Sequence, residues 1–146
     1  MTDIAEGYTA LFRTSPFLDL VGPFYQREEG DGLVVALRIE ARHANARGTA
    51  HGGLLVTMAD VALGYNAAYL DLEKQPGTAP AALTTANLSV DFAGSAKVGD
   101  WVEARVDVQR VGGRLAFANA YLYVGERRIA RASAVFAVAP LKTANG

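Results

Sequence analysis

The sequence predicts an α+β fold in which one antiparallel sheet wraps around a single long helix. Three observations predict it. One stretch, roughly Gly53 to Leu70, carries apolar residues at Leu54, Met58, Val61, Tyr65 and Tyr69, at spacings of four, three, four and four. It is followed by four segments rich in β formers, 82–92, 98–111, 115–124 and 128–138, separated by turn residues. A sheet of that length needs its apolar face covered, and only the long helix can cover it.

Before the helix, Asp3 and Glu6 have the spacing of a capping box, with Ile4, Tyr8, Leu11 and Phe12 on one helical face. This predicts a short N-terminal helix ending before Ser15-Pro16. Leu18 to Gln26 reads as a strand, and Glu29-Gly30-Asp31-Gly32 turns it into a second, Leu33 to Ile39. After the helix, Glu73 to Pro80 reads as a loop. Gly112-Gly113 and Gly125-Glu126 make the hairpin turns between the late strands. The expected order is helix, two strands, long helix, four strands. The chain of 146 residues is read as one domain, 1–146, with a polar tail at about 142–146.

Acids and bases are dispersed and sum to a net charge of −1, which offers no electrostatic footprint for nucleic acid or an anionic membrane. No apolar run reaches the roughly 18 residues of a membrane span. The first residues lack the basic-then-apolar order of a secretory signal. Cysteine is absent, so disulfides, thiolate metal sites and a cysteine nucleophile are excluded together. A cytoplasmic location is expected. The two histidines, His43 and His51, have no third ligand at useful spacing, so no metal is expected.

The chemistry concentrates between His43 and Asp60. Asn45, Gly48, His51, Gly52 and Gly53 form a polar, glycine-rich entrance to the helix. Asp60 is a lone acid inside it, on a second stripe of mostly small residues with Gly53, Thr57, Gly64 and Ala67. The first N–H groups of a helix lack intrahelical acceptors and carry partial positive charge, which suits a developing oxyanion. An acid can take a proton from water. Taken singly, Asp60 reads as a solvated helix face, His51 as a cap and the glycines as a tight turn; together they read as a site. Along the next strand Thr85, Asn87, Ser89 and Asp91 are expected to share one face.

The element order and the motif Asn45-x-x-Gly48-x-x-His51-Gly52-Gly53, with Asp60, Thr84-Thr85, the segment Ser95 to Asp100 and Gly112-Gly113-Arg114, resemble the hotdog-fold thioesterases of the phenylacetyl-CoA and 4-hydroxybenzoyl-CoA superfamily. The resemblance implies hydrolysis of an acyl-CoA with no cofactor beyond CoA in the substrate. It implies Asp60 as general base or nucleophile, and the Gly52 N–H as oxyanion donor. Asn45 and His51 would place the carbonyl and Thr85 would orient water or the acid, with Gly48, Gly53 and Thr84 at the substrate. A non-catalytic acyl-CoA-binding module and a hotdog dehydratase or hydratase are the alternatives.

Spacing adds a constraint. On one helix, residues nine apart lie about 13 Å apart along the axis. One small carbonyl cannot touch both His51 and Asp60 of one chain. Sites shared between copies, hence at least a homodimer, are expected; the larger assembly expected is a homotetramer.

Overall fold

The computed structural model describes residues 3–74 and 81–140, with side chains described for 3–69 and 82–139. The tail at 142–146 and most of the loop before Pro80 lie outside the described residues. The elements are β1 (Thr9–Ala10), α1 (Pro16–Val21), β2 (Tyr25–Glu29), β3 (Gly32–Arg38), a 3₁₀ turn (Ala41–His43), α2 (Gly52–Lys74), β4 (Ala81–Phe92), β5 (Trp101–Val111), β6 (Leu115–Val124) and β7 (Arg127–Pro140). The strands form one antiparallel seven-stranded sheet in the order β1-β2-β3-β5-β6-β7-β4. With α2 packed against its inner face, this is the hotdog architecture.

The helix nests because the strands beneath it carry small inner residues. On β6 the buried positions are Ala116, Ala118, Ala120 and Leu122, while Leu115, Phe117 and Tyr121 face outward. On β7 the inner positions include Ala130, Ala132, Ala134 and Phe136. Alanine at period two lets the helix backbone approach closely. The close fit widens the buried arc of α2 to Leu55, Met58, Ala59, Ala62, Leu63, Asn66 and Ala67. The expected stripe is thereby corrected. Leu54 and Met58 are buried, but Val61, Tyr65 and Tyr69 are only half-buried, and Ala67 belongs to the core.

Asn66 is a core polar group that periodicity did not reveal. It is 2% exposed. Its Oδ1 accepts from the Leu33 N–H at 2.8 Å, and its Nδ2 donates to the Leu33 and Ala62 carbonyls at 2.9 Å each. It ties the middle of α2 to the start of β3, where a Cβ on Gly32 would stand 2.8 Å from the Asn66 Oδ1. Glycine at 32 is what permits the contact.

The N-terminal expectations are overturned. No helix spans Asp3 to Phe12; Gly7, at φ +85°, turns the chain into β1. Tyr8 instead packs on the outer face of the sheet, its ring edge-on to Trp101 at 5.1 Å and its hydroxyl donating to Glu103 at 2.7 Å. Burial and the neighbouring Glu103 carboxylate push the Tyr8 phenol far above its ordinary value. The first helix lies in the segment read as a strand. Ser15 caps α1 by accepting from the Leu18 N–H, and Pro16 sits in its first turn. A Ser-Pro pair read as the end of a helix is here its start, because proline lacks only an N–H that a first turn leaves unpaired anyway.

Candidate active site

The loop before α2 is built by its own polar side chains. The Asn45 Oδ1 accepts from the backbone N–H of Arg47 at 2.9 Å and of Thr49 at 3.2 Å, while its Nδ2 donates to the Thr49 Oγ1 at 3.0 Å. Gly48, at φ +80°, completes the turn in a conformation that side chains rarely adopt. The Ala50 N–H then donates to the Ala96 carbonyl at 2.8 Å, which fastens the loop to the segment before β5. Asn45, expected to place a carbonyl, is thus occupied in shaping the loop, and Gly48 sits at its bend.

His43 anchors the same loop from below. It is 5% exposed. Its Nδ1 accepts from the Glu40 N–H at 2.9 Å and its Nε2 lies 2.7 Å from the Val21 carbonyl. This pairing requires a neutral ring with its proton on Nε2. Burial, assisted by the nearby Arg42 charge, holds its pKa below the ordinary 6.5. A neutral histidine favoured by the fold contributes stability that is complete above pH 6.5 and is lost as pH falls toward the lowered native value. The melting temperature of the wild type is therefore expected to fall more steeply between pH 7 and 5 than that of His43→Gln, which cannot titrate. That variant loses about 1–3 kcal/mol at pH 7 from the disturbed buried pairing. Parallel curves in thermal melts across this range would remove His43 as the titrating group.

At the mouth of α2, the His51 Nδ1 accepts from the Gly53 N–H at 2.9 Å. Its proton therefore sits on Nε2, which faces outward as a donor. The Gly52 N–H has no acceptor among the described residues. Phe92, at the end of β4, closes over Gly52, where a Cβ would meet its ring at 3.4 Å. The sequence offered no signal for this wall. His51, Gly53, Leu54 and Thr57 line a hollow of about 270 Å³ together with Phe17, Arg42 and His43.

Asp60 lies elsewhere. The Thr85 Oγ1 donates to its Oδ1 at 2.7 Å, so one carboxylate oxygen is held in place. The meeting depends on a β-bulge in β4. Thr85 pairs with Phe136 and Asn87 with Val135, which leaves Ala86 as the extra residue. Leu83 and Thr85 face the helix before the bulge, and Leu88 and Val90 face the core after it. Strict alternation had put Thr85 on one face with Asn87, Ser89 and Asp91, and the bulge corrects that. Thr84, paired with exposed Ala137, is on the outer face, away from Asp60. The acid and Thr85 open onto a cleft of about 490 Å³ whose lining includes Val61, Gly64, Tyr65, Leu83 and Phe136. Tyr65 and Tyr69 wall this cleft, and Tyr65 also packs against the core.

His51 and Gly53 at the helix mouth and the acid Asp60 therefore line different cavities of one chain. Gly52 and Asp60 are eight residues apart on α2, about 12 Å along its axis. What each half can do is clear: one presents unpaired donors, the other a positioned carboxylate beside an apolar cleft.

The sequence model of the thioesterase superfamily matches residues 47–130, which contain both halves. A Pseudomonas aeruginosa protein with a provisional esterase name is 50% identical over 137 residues, 93% of this chain and 98% of that protein. Zebrafish thioesterase superfamily member 2 superposes with a TM-score of 0.71 at 24% identity, over 86% of this chain and 88% of its own. A hypothetical thioesterase from Streptococcus pneumoniae, solved with coenzyme A, superposes at 0.69 with 20% identity, over 82% and 91%. With its fold and the span from the glycine-rich loop to β7 both matched, the chain belongs to the thioesterase superfamily.

Proposed function

We propose that this protein hydrolyses an acyl-CoA thioester to the free acid and CoA, at composite sites formed between copies of the chain. The observation that carries this reading is the separation just described. Asp60, held by Thr85, faces an apolar cleft, while the Gly52 amide, without an acceptor among the described residues, lies about two helical turns away beneath the Phe92 ring. A second chain brought up antiparallel, α2 beside α2, supplies the missing half to each. The placement of β4 supports that approach. It is a twelve-residue strand at the edge of the sheet, next to Asp60; among the described residues no strand pairs with its outer side, and an edge of that length invites pairing. The coenzyme A in the Streptococcus fold neighbour supports the substrate class.

In this reading the substrate carbonyl oxygen accepts from Gly52 of one protomer, with the outward His51 Nε2–H beside it. One fixed donor of this kind is worth about 3–4 kcal/mol in the transition state. Asp60 of the other protomer takes a proton from water as the water oxygen bonds to the carbonyl carbon. Collapse of the tetrahedral intermediate breaks the C–S bond, and the proton goes to the departing CoA sulfur. Attack by the carboxylate itself, through a mixed anhydride that water then opens, uses the same placement. The acyl group lies in the cleft beyond Asp60, and CoA extends toward the partner.

The test is release of free thiol from a panel of aryl, short, medium and long acyl-CoAs. Turnover of some of them is expected. Binding without thiol release, even at high protein concentration, would make the chain an acyl-CoA-binding module instead.

A further inference from the structure

The cleft beyond Asp60 is a channel with a polar far end. Asp60, Gly64 and Ala68 follow one another at spacings of four along α2, so the channel has a floor about 12 Å long with no side chain larger than a methyl beyond the acid. Phe136 closes in on Gly64, where a Cβ would meet its ring at 3.4 Å, and Leu83 and Val61 add apolar wall. Phe12, Arg13 and Tyr65 stand beside that floor. The Phe12 ring packs on Tyr65 at 5.3 Å, and the Phe12 N–H donates to the Gln26 Oε1 at 2.8 Å, which fixes this part of the N-terminal segment over the cleft.

Two donors at this end have no partner among the described residues. Among the described residues no carboxylate pairs with Arg13, and the Tyr65 hydroxyl has no hydrogen-bond partner. The neighbouring hydroxyls are already engaged: Thr14 donates to Asp19, and Ser15 caps α1. Tyr69 donates to Glu28. Arg13 and Tyr65 are near enough to feel each other. Burial raises the Tyr65 phenol above its ordinary value, and the Arg13 guanidinium opposes the rise. Among the described lining residues Asp60 is the one carboxylate, and it forms no ion pair with Arg13. An exposed cation at the rim of an apolar cleft, with a half-buried phenol beside it, selects for an anion at that end. A neutral hydrocarbon tail would use neither group.

On the reading of this site as a thioesterase, we propose that the acyl group is a dicarboxylic one, its free carboxylate held by Arg13 and Tyr65 at the end opposite the thioester. The Asp60–Tyr65 offset, about 7.5 Å along the helix axis, suits a chain of about five to eight carbons. A phosphate of CoA is the other anion that could meet a guanidinium here, and the experiment separates the two.

Values of kcat/KM are measured for adipyl-CoA and hexanoyl-CoA, equal in length and differing in the terminal carboxylate. The wild type is expected to favour adipyl-CoA at least tenfold. Arg13→Gln is expected to lower the adipyl-to-hexanoyl ratio at least tenfold, Arg13→Lys to lower it less, and Tyr65→Phe to lower it several-fold. A wild-type ratio near one, with hexanoyl-CoA turned over, overturns the proposal and leaves the thioesterase reading standing. An equal fall for both substrates in Arg13→Gln also overturns it, and places the guanidinium on a CoA phosphate. Thiol release from neither substrate, nor from any other acyl-CoA, overturns both.

Discussion

Asp60→Asn is expected to lower kcat by about 10²–10⁴ with little change in KM, the range associated with loss of a positioned general base. The substitution is nearly isosteric. The Thr85 hydroxyl can donate to an amide oxygen as it does to the Asp60 Oδ1 at 2.7 Å, so the cleft keeps its shape. What is lost is the ability to accept a proton from water or to attack a carbonyl. A fall in kcat and kcat/KM by the same factor marks an interaction made only in the transition state. If KM rises in proportion to the loss of efficiency while kcat holds, Asp60 serves substrate binding and the chemistry lies elsewhere. Melting temperatures measured alongside exclude simple unfolding.

Mixing two inactive variants is expected to restore activity, and this is the sharper test of the geometry. His51→Ala disables the helix-mouth half of each site, and Asp60→Ala the carboxylate half. In a heterodimer of the two, one site receives both defects and the other receives neither. Random exchange of equal amounts makes half the dimers mixed, so about a quarter of wild-type activity returns under two-fold symmetry. The expectation rests on α2 itself. Residues 52 and 60 are on one rigid helix about 12 Å apart, and no rotamer brings them to one carbonyl. Recovery is read by refolding the chains together and following thiol release. If the mixture stays at the sum of its parts, each chain works alone or not at all.

Much of the molecule was legible before any coordinates. The glycine-rich entrance, the long helix and the four strands after it stand where periodicity and turn residues put them, except that β5 starts at Trp101 and the expected strand residues 98–100 form a turn. α2 begins at Gly52 and extends past the expected end to Lys74. The placement of His51 and Gly52 at a helix mouth was legible too, because capping and unpaired amides follow from local sequence. The N-terminal region was not. Asp3 and Glu6 imitate a capping box, and Ser15-Pro16 is compatible with either end of a helix. What decided the matter was Tyr8, whose ring finds Trp101 and whose hydroxyl finds Glu103, 95 residues away. A contact of that separation outweighs a weak local preference.

By itself the sequence determined the class of fold and the chemical inventory: a helix with unpaired amides at one end, an acid two turns in, and strands enough to wrap it. These depend on spacing along the chain, and spacing is written in the residues. Only the tertiary structure decided which groups meet. The bulge at Ala86 turned Thr85 toward Asp60 and left Thr84 on the outer face. The alanine floor of β6 and β7 drew the helix in and left Tyr65 to wall a cleft. The return of residues 9–15 across that cleft placed Phe12 and Arg13 above it. Each outcome depends on registers and close packing between segments far apart in the chain, where a shift of one residue reverses a face and no local pattern records the choice.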